Sequence, residues 1–280
     1  MTHVKYSPKE MMALNACKEF RDGEVAFVGI GVPMLAGIVA TRLHAPNLTI
    51  VYESGCVGTR MYRVDFNVGD SSAADDALCL TSMWRIFADL QAGFIDLGIL
   101  GGAQIDKFGN LNTTAIFGKG DYYQPMVRLP GSGGGNDIGS SAKRTVIMMR
   151  LEKQRFVEKV DHLTTPGYLD GSPKARERAG LVGGGPVSVI TNKAIFKFDD
   201  ANEMYLETIY PGVDVQEIKE MVSWDLKVSD NLKVAELPTA EEKAALRSSD
   251  PTNLIIGGKE AREGFSNLDE YIDLTIKNAR

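Results

Sequence analysis

The spacing of apolar residues changes twice within the first 53 positions, and those changes set the architecture. Ser7-Pro8-Lys9-Glu10 has the form of a helix start, with an N-cap serine, a proline at the first helical position and a glutamate three residues after the cap. The segment MMALNACKEF then carries apolar residues at helical spacing. Residues 24–31 (EVAFVGIG) form a short apolar run ending in glycines, which reads as a buried strand, and Pro33 opens a second helical stretch, MLAGIVATRL. Residues 48–53 (LTIVYE) are the next strand of buried type. Strand, turn, helix, strand is a βαβ unit, and it predicts a parallel sheet.

The pattern continues with a helix over 81–91, a strand over 97–100 and a glycine- and asparagine-rich stretch, GGAQIDKFGNLN. The strand TVIMM (145–149), the basic segment EKQRFVEKV and the loop TTPGYLDGSPK come next. VSVIT, AIFKF and MYLETIY, separated by short polar turns, predict a small antiparallel extension. Residues 214–224 have helical spacing, and the charged stretch from about 225 to 280 reads as a helical extension at the surface. No repeat, low-complexity tract or linker divides the chain. The expectation is a single α/β domain over 1–280, an open, mostly parallel doubly wound sheet with helices on both faces.

Composition narrows the function. With 31 Lys+Arg against 37 Asp+Glu, the net charge is -6, so no global basic field gathers nucleic acid or anionic lipid. Any anionic ligand must be held locally. Cys17, Cys56 and Cys79 show no CxxC spacing, and His3, His44 and His162 lie far apart, so no metal or disulfide framework is expected. A reducing cytoplasm is the simplest setting. The N-terminal segment lacks the apolar run of a signal peptide, and no stretch approaches the roughly 18 apolar residues of a membrane span. Glycine stands out. The 29 glycines are about a tenth of the chain, against a usual share of about 7%.

Those glycines gather where strands end. Gly29-Ile30-Gly31 lies between a strand and a helix, with Glu53 closing the next strand 24 residues on. That is close to a dinucleotide-binding layout, but Met34 stands where the third glycine belongs, and a plain βα turn is the simpler reading. The stretch PGSGGGNDIG (130–139) leaves backbone amides uncovered, so they can converge on an anion or a developing oxyanion, with a flexible loop as the alternative reading. No Walker lysine or GxSxG elbow accompanies it. In Glu53-Ser54-Gly55-Cys56 a carboxylate ends a buried parallel strand, where open α/β sheets place their ligands. A carboxylate can itself be a covalent nucleophile, whereas Cys56 has no nearby histidine to activate it. Gly101-Gly102-Ala103-Gln104-Ile105-Asp106, with a turn over 106–109, reads as the structural floor of the site. Arg128, Lys143 and Arg144 are candidate holders of a substrate carboxylate or phosphate, with solvated surface charge the simpler reading; His162 reads as a loop histidine.

The ordered series VYESG, LGILGGAQIDKFGNLNTT, RLPGSGGGNDI, EKQRFVEKVDHLTTPGYLDG and GGGPVSVIT to MYLETIYPG resembles the class I CoA-transferase family, and within it the B (beta) subunit of the glutaconate CoA-transferase type. The resemblance runs from about residue 5 to about residue 230. It implies that Glu53, in the family's Glu-Ser-Gly motif, attacks an acyl-CoA thioester, and that a glutamyl-CoA thioester on this residue is the intermediate of a ping-pong transfer. It also implies that Gly133, Gly134, Gly135 and Asn136 serve the oxyanion and the CoA, with Cys56, Gly31 and Arg128 as secondary candidates. Acyl-CoA would be a substrate, with no tightly bound cofactor and no metal. A homologous A (alpha) subunit would complete a hetero-oligomer, without nucleic acid or membrane. Relatives of this fold that lack the glutamate act on CoA thioesters as decarboxylases or ring-cleaving hydrolases. Such a CoA-thioester hydrolase or decarboxylase is therefore the alternative activity, and a nicotinamide-nucleotide-binding domain is the alternative outside the family.

Overall fold

The computed structural model describes residues 6–60, 64 and 69–257. They fall into two compact units, one built from residues up to Ile86 together with those from Leu237 onward, the other from Phe87 to Glu236.

In the first unit the helix start at Ser7 is realised. Ser7 Oγ accepts the Glu10 amide at 3.2 Å and Glu10 Oε2 accepts the Ser7 amide at 2.6 Å, so helix α1 runs over Pro8–Cys17. Strand β1 (Val25–Phe27), helix α2 (Val32–Leu43) and strand β2 (Thr49–Val51) are the expected βαβ unit, with β1 and β2 parallel and Phe27 opposite Val51. The apolar run over 24–31 yields only three strand residues because the chain turns early. Gly31 takes φ 90° at the N-cap of α2, a value open to glycine, and Pro33 fixes the first turn. Gly37 brings α2 down on the core; a Cβ there would lie 3.2 Å from Ile50 Cδ1. Past β2 the chain reverses tightly into β3 (Cys56–Val57), antiparallel to β2, and β4 (Cys79–Leu80) pairs antiparallel with β3. The chain leaves this unit within helix α3 (Met83–Gln91).

The second unit opens with β5 (Leu97–Leu100), followed by two small hairpins, β6 (Gln104–Ile105) with β7 (Leu111–Asn112) and β8 (Ala115–Ile116) with β9 (Val127–Arg128). Helix α4 (Gly135–Ser141), strand β10 (Arg144–Met148), the short helix α5 (Ala175–Arg178) and strand β11 (Pro186–Ile190) come next. Strands β12 (Ala194–Phe198) and β13 (Met204–Ile209), helix α6 (Val215–Glu220) and strand β14 (Lys227–Val234) complete it. β10 lies parallel between β5 and β11, and all four residues of β5 are buried, as its unbroken apolar run requires. The expected antiparallel extension is β11, β12 and β13. On β13 the alternation is clean, with Met204, Leu206 and Thr208 inward. The α/β class with a parallel arrangement and an antiparallel extension is therefore what these residues form.

The helical extension expected from about 225 differs from the structure. Residues 227–234 are strand β14, parallel to β13, and the charges read as part of a helix lie along that strand instead. Lys227 Nζ reaches Asp199 at 2.7 Å and Glu203 at 2.8 Å, and Lys233 pairs with Glu207, so cross-strand pairs hold what local propensity did not announce. A helix begins only at α7 (Ala240–Ser249), with a capping box between Thr239 and Glu242. α7 belongs to the first unit, where Arg247 Nη2 meets the buried Glu10 carboxylate at 2.7 Å. Residues 258–280 of the expected extension lie outside the described residues.

Candidate active site

β2 ends at Val51, and Glu53 stands on the reversal after it. The Gly55 amide donates to Tyr52 O at 3.0 Å and the Tyr52 amide to Cys56 O at 3.0 Å, so Glu53 and Ser54 occupy the corner of a tight turn. Gly55 makes the turn possible. Its φ is 110°, and a Cβ would sit 1.8 Å from Thr81 O, because the Thr81 amide is tied to Gly55 O at 2.9 Å. The half-buried Glu53 carboxylate has no hydrogen-bond or ion-pair partner among the described residues. It is thus held in place by backbone alone, with both oxygens available. The Gly29–Gly31 turn follows β1, and β1 neighbours β2, so this turn and the Glu53 turn leave the carboxyl ends of adjacent parallel strands. A Cβ at Gly29 or Gly31 would meet nothing within 4 Å.

Cys56 lies just beyond Gly55, buried, with Ser54 Oγ 3.7 Å from its Sγ. It borders a cavity of about 290 Å³ that Ser54, Gly55, Asp70, Ser71 and Leu80 also line.

In the second unit the glycine stretch is a loop running into α4. Gly131 and Gly133 take φ values of 102° and 49°, and a Cβ on either would meet nothing within 4 Å. The loop is anchored at both ends: the Gly131 amide donates to Thr113 O at 2.9 Å and the Gly135 amide to Ser132 O at 2.9 Å. The amides of Gly133, Gly134 and Asn136 have no acceptor among the described residues. Three of the four expected positions thus offer a free N–H, whereas Gly135 serves packing, against Thr165 Oγ1. α4 has only two turns, so these amides, not a long helix dipole, are what the loop presents. Gly98 on β5 lets α4 settle: a Cβ there would lie 2.2 Å from Ile138 Cγ2.

The polar side chains of the GGAQIDKFGNLN motif are engaged in internal hydrogen bonds. Asp106 Oδ1 accepts the amides of Phe108 and Asn110, and Oδ2 accepts Asn110 Nδ2 at 2.9 Å. Burial pushes the Asp106 carboxyl up, against the pull of those bonds. Asn112, fully buried, donates to Gln104 Oε1 and Ala115 O, both at 2.7 Å, and accepts the Thr114 amide at 2.9 Å. Thr164 Oγ1 accepts the Thr113 amide at 3.0 Å. The link between β7 and β8, from which Gly131 hangs, is therefore braced by the buried Asn112 and the half-buried Thr164.

Arg128 is exposed and engaged by its own hairpin: it donates to Tyr122 O, and its guanidinium carbon lies 4.9 Å from the Tyr122 ring centre. Lys143 pairs with Asp96 at 2.7 Å, in keeping with surface charge. The His162 ring lies tilted beside that of Tyr122, their centres 5.5 Å apart. Glu53, Cys56 and Gly31 thus share the first unit, and Gly133, Gly134, Gly135, Asn136 and Arg128 share the second. Asn112, Thr164 and Arg176 do not stand out in the sequence. Asn112 is half-announced by its Asn-x-Asn string after a turn glycine, whereas Arg176 sits in a charged run, KARER, that reads as surface. Among the described residues no group of His, Cys, Asp and Glu could hold a metal ion, and no helix is long and apolar enough to cross a membrane.

Comparison with known proteins points to one family. The coenzyme A transferase family model matches residues 9–221. The chain is 36% identical over 260 residues to the B subunit of 3-oxoadipate CoA-transferase from Pseudomonas knackmussii, covering 92% of this chain and 98% of that protein. It is also 36% identical over 261 residues to the B subunit of glutaconate CoA-transferase from Acidaminococcus fermentans, covering 91% and 96%. The crystal structure of the Acidaminococcus fermentans glutaconate coenzyme A-transferase, at 36% sequence identity, superposes with a TM-score of 0.83 over 91% of this chain and 98% of that one.

Proposed function

Because the chain belongs to the coenzyme A transferase family, we propose that it is the B subunit of an enzyme that moves CoA between a short dicarboxylic or oxo-acid thioester and an acceptor carboxylate. Glu53 is the nucleophile. Its carboxylate adds to the thioester carbonyl and expels CoA thiolate, leaving a mixed anhydride; the thiolate then attacks the glutamyl carbonyl, releasing the first carboxylate and leaving a glutamyl-CoA thioester. The acceptor carboxylate runs the same steps in reverse. The observation that carries this assignment is a carboxylate without a partner among the described residues, fixed by backbone on a turn at the carboxyl end of a parallel strand.

A carboxylate is a weak nucleophile in water, so binding energy from the remote parts of CoA must position and desolvate it. The free amides of Gly133, Gly134 and Asn136 are assigned to the charge that develops on the thioester oxygen, which costs no reorganisation when donors are already in place. The open space over Gly31, Gly131 and Gly133 supports close approach of a ligand to backbone.

The two 36%-identical relatives are each named as the B subunit of their enzyme, and this chain is assigned a homologous partner chain, the A subunit, in the same way. Leu78, Leu80, Met83 and Trp84, the last 72% exposed, leave an apolar surface of the sort a permanent partner covers.

The test uses the assembled two-subunit complex. Incubation with acyl-CoA, then borohydride or hydroxylamine, should modify Glu53, read by mass spectrometry of its peptide. Full transfer activity in Glu53→Ala would overturn the assignment. Acyl-CoA consumption that needs no acceptor acid would replace transfer with hydrolysis or decarboxylation, and full transfer by this chain alone would remove the partner.

A further inference from the structure

Outside the candidate site a guanidinium is buried without a counter-charge among the described residues. Arg176, on α5, is only 8% exposed, and no carboxylate pairs with it among the described residues. All of its hydrogen bonds go to backbone carbonyls: Nε to Gly183 O at 3.0 Å, Nη1 to Gly167 O at 2.7 Å and Pro166 O at 3.2 Å, and Nη2 to Gly139 O at 2.8 Å and, more weakly, Ser140 O at 3.5 Å. Burying a guanidinium this way is costly, so the arrangement calls for a reason that a solvated arginine would not need.

The carbonyl partners supply that reason. Gly139 lies on α4, the helix that continues the glycine loop, and both Gly135 and Gly139 rest on Thr165, where a Cβ on Gly139 would come within 2.3 Å of Thr165 Cγ2. Pro166 and Gly167 directly follow Thr165. Arg176 therefore ties α4 to the segment it rests on. The glycine triplet 183–185 makes this possible. A Cβ on Gly184 would lie 2.2 Å from Lys143 O, one on Gly183 2.4 Å from Ala142 O, and one on Gly185, at φ 90°, 3.1 Å from Arg176 Cδ. The Gly183 amide also donates to Ser140 O at 2.7 Å. A glycine cap would be enough to end a helix; it would not join that helix to the segment over 165–167.

We propose that Arg176 is a positioning residue of the glycine loop, clamping α4 onto the 165–167 segment so that the amides of Gly133, Gly134 and Asn136 stay at a fixed place. This rests on the reading of that loop as the charge-stabilising element of CoA transfer. A planar guanidinium reaches carbonyls in several directions at once, whereas an ammonium offers three donors from one point and a thioether none.

The experiment compares Arg176→Met, Arg176→Lys and, as a control on the loop itself, Gly133→Ala, all in the assembled complex, by kcat, KM for acyl-CoA and thermal midpoint. Displacing the donors should lower kcat in Arg176→Met roughly 10- to 100-fold, with KM within about threefold of wild type, since the loss falls on the transition state. Arg176→Lys, which offers three donors from one point, should recover only part of that loss. Wild-type kcat in Arg176→Met overturns the proposal, as does an equal kcat loss in the Met and Lys variants that tracks their loss of thermal midpoint. Should Arg176→Met not assemble, Arg176→Gln, which keeps a neutral donor, decides: lowered kcat in the assembled complex supports the clamp, and wild-type kcat removes it. Unimpaired Gly133→Ala would refute the loop reading, whereas impaired Gly133→Ala beside unimpaired Arg176→Met refutes the clamp alone.

Discussion

The turn that carries Glu53 and the loop over 131–135 both depend on glycine, but the neighbours of those glycines differ. At Gly55 a Cβ would strike Thr81 O at 1.8 Å, so the glycine exists to let two backbone segments touch. At Gly131 and Gly133 a Cβ would meet nothing, and the amides of Gly133 and Gly134 have no acceptor among the described residues. One glycine makes a rigid mount for a side chain, and the others leave backbone amides bare. A glycine count cannot separate these uses, since each contributes one residue to the excess. Only the neighbours do.

This contrast assigns chemistry to a side chain in one place and to backbone in the other, and substitutions should follow that split. The largest effect is expected at Glu53. Its carboxylate holds no partner among the described residues, so Glu53→Gln should leave the thermal midpoint within about 2 °C of wild type, while transfer falls on the order of 10³-fold or more, as for loss of a covalent nucleophile. Steady-state kinetics beside a melting curve checks both halves. A large stability loss would mean that the carboxylate is part of the mount and not its load.

Gly55→Ala should do the reverse, breaking the mount. Overpacking against backbone together with a φ of 110° should cost about 3 kcal/mol or more, a fall of roughly 6–12 °C in thermal midpoint for a chain of this size. Gly133→Ala is the milder counterpart. Its φ of 49° and open surroundings put the strain near 1 kcal/mol, or about 2–4 °C, whereas the new methyl enters the space assigned to the thioester and should lower kcat about tenfold. Equal stability losses at the two sites would erase the distinction between packing and clearance.

Much of this arrangement is legible in the sequence, and what is not has a common cause. The capping box at Ser7, the βαβ unit, the buried strand at 97–100 and the antiparallel extension all rest on local signals that the structure keeps. Strand β14 escapes a local reading because its pairing depends on Asp199, Glu203 and Glu207, two dozen or more residues away (Lys233 and Glu207 are 26 apart), and no local pattern encodes such partners. The loss of the Gly135 amide to Ser132 O depends on loop geometry that glycine makes unpredictable. Arg176 is hidden for a related reason. In KARER it looks like any solvated charge, and its burial is created by a glycine triplet and a helix end that are distant in the chain. Residues that present chemistry stand out by type and spacing, whereas residues that hold them in place are defined by contacts.

The smallest effect is expected at the thiols, and it bears on which atom of the Glu53 turn reacts. Cys56 is buried beside Gly55 and borders the cavity behind the turn, so a thiol in place of the carboxylate as nucleophile is a specific alternative. Its polar neighbour is the Ser54 hydroxyl at 3.7 Å, and activation of a thiol requires a positive or basic group close by. Cys56→Ser should therefore change transfer by less than about threefold, the range of a near-isosteric swap that removes no transition-state contact. Alkylation gives a second reading in the same protein. Cys17 is pushed up to about 12 by burial, with Glu242 adding to the shift, so at pH 8 it stays protonated and unreactive. Cys79 is exposed and should take up label first in the isolated chain, ahead of the two buried thiols. A Cys56→Ser variant losing transfer more than tenfold, with label on Cys56 tracking inactivation, would shift the chemistry of the turn from its carboxylate to its thiol.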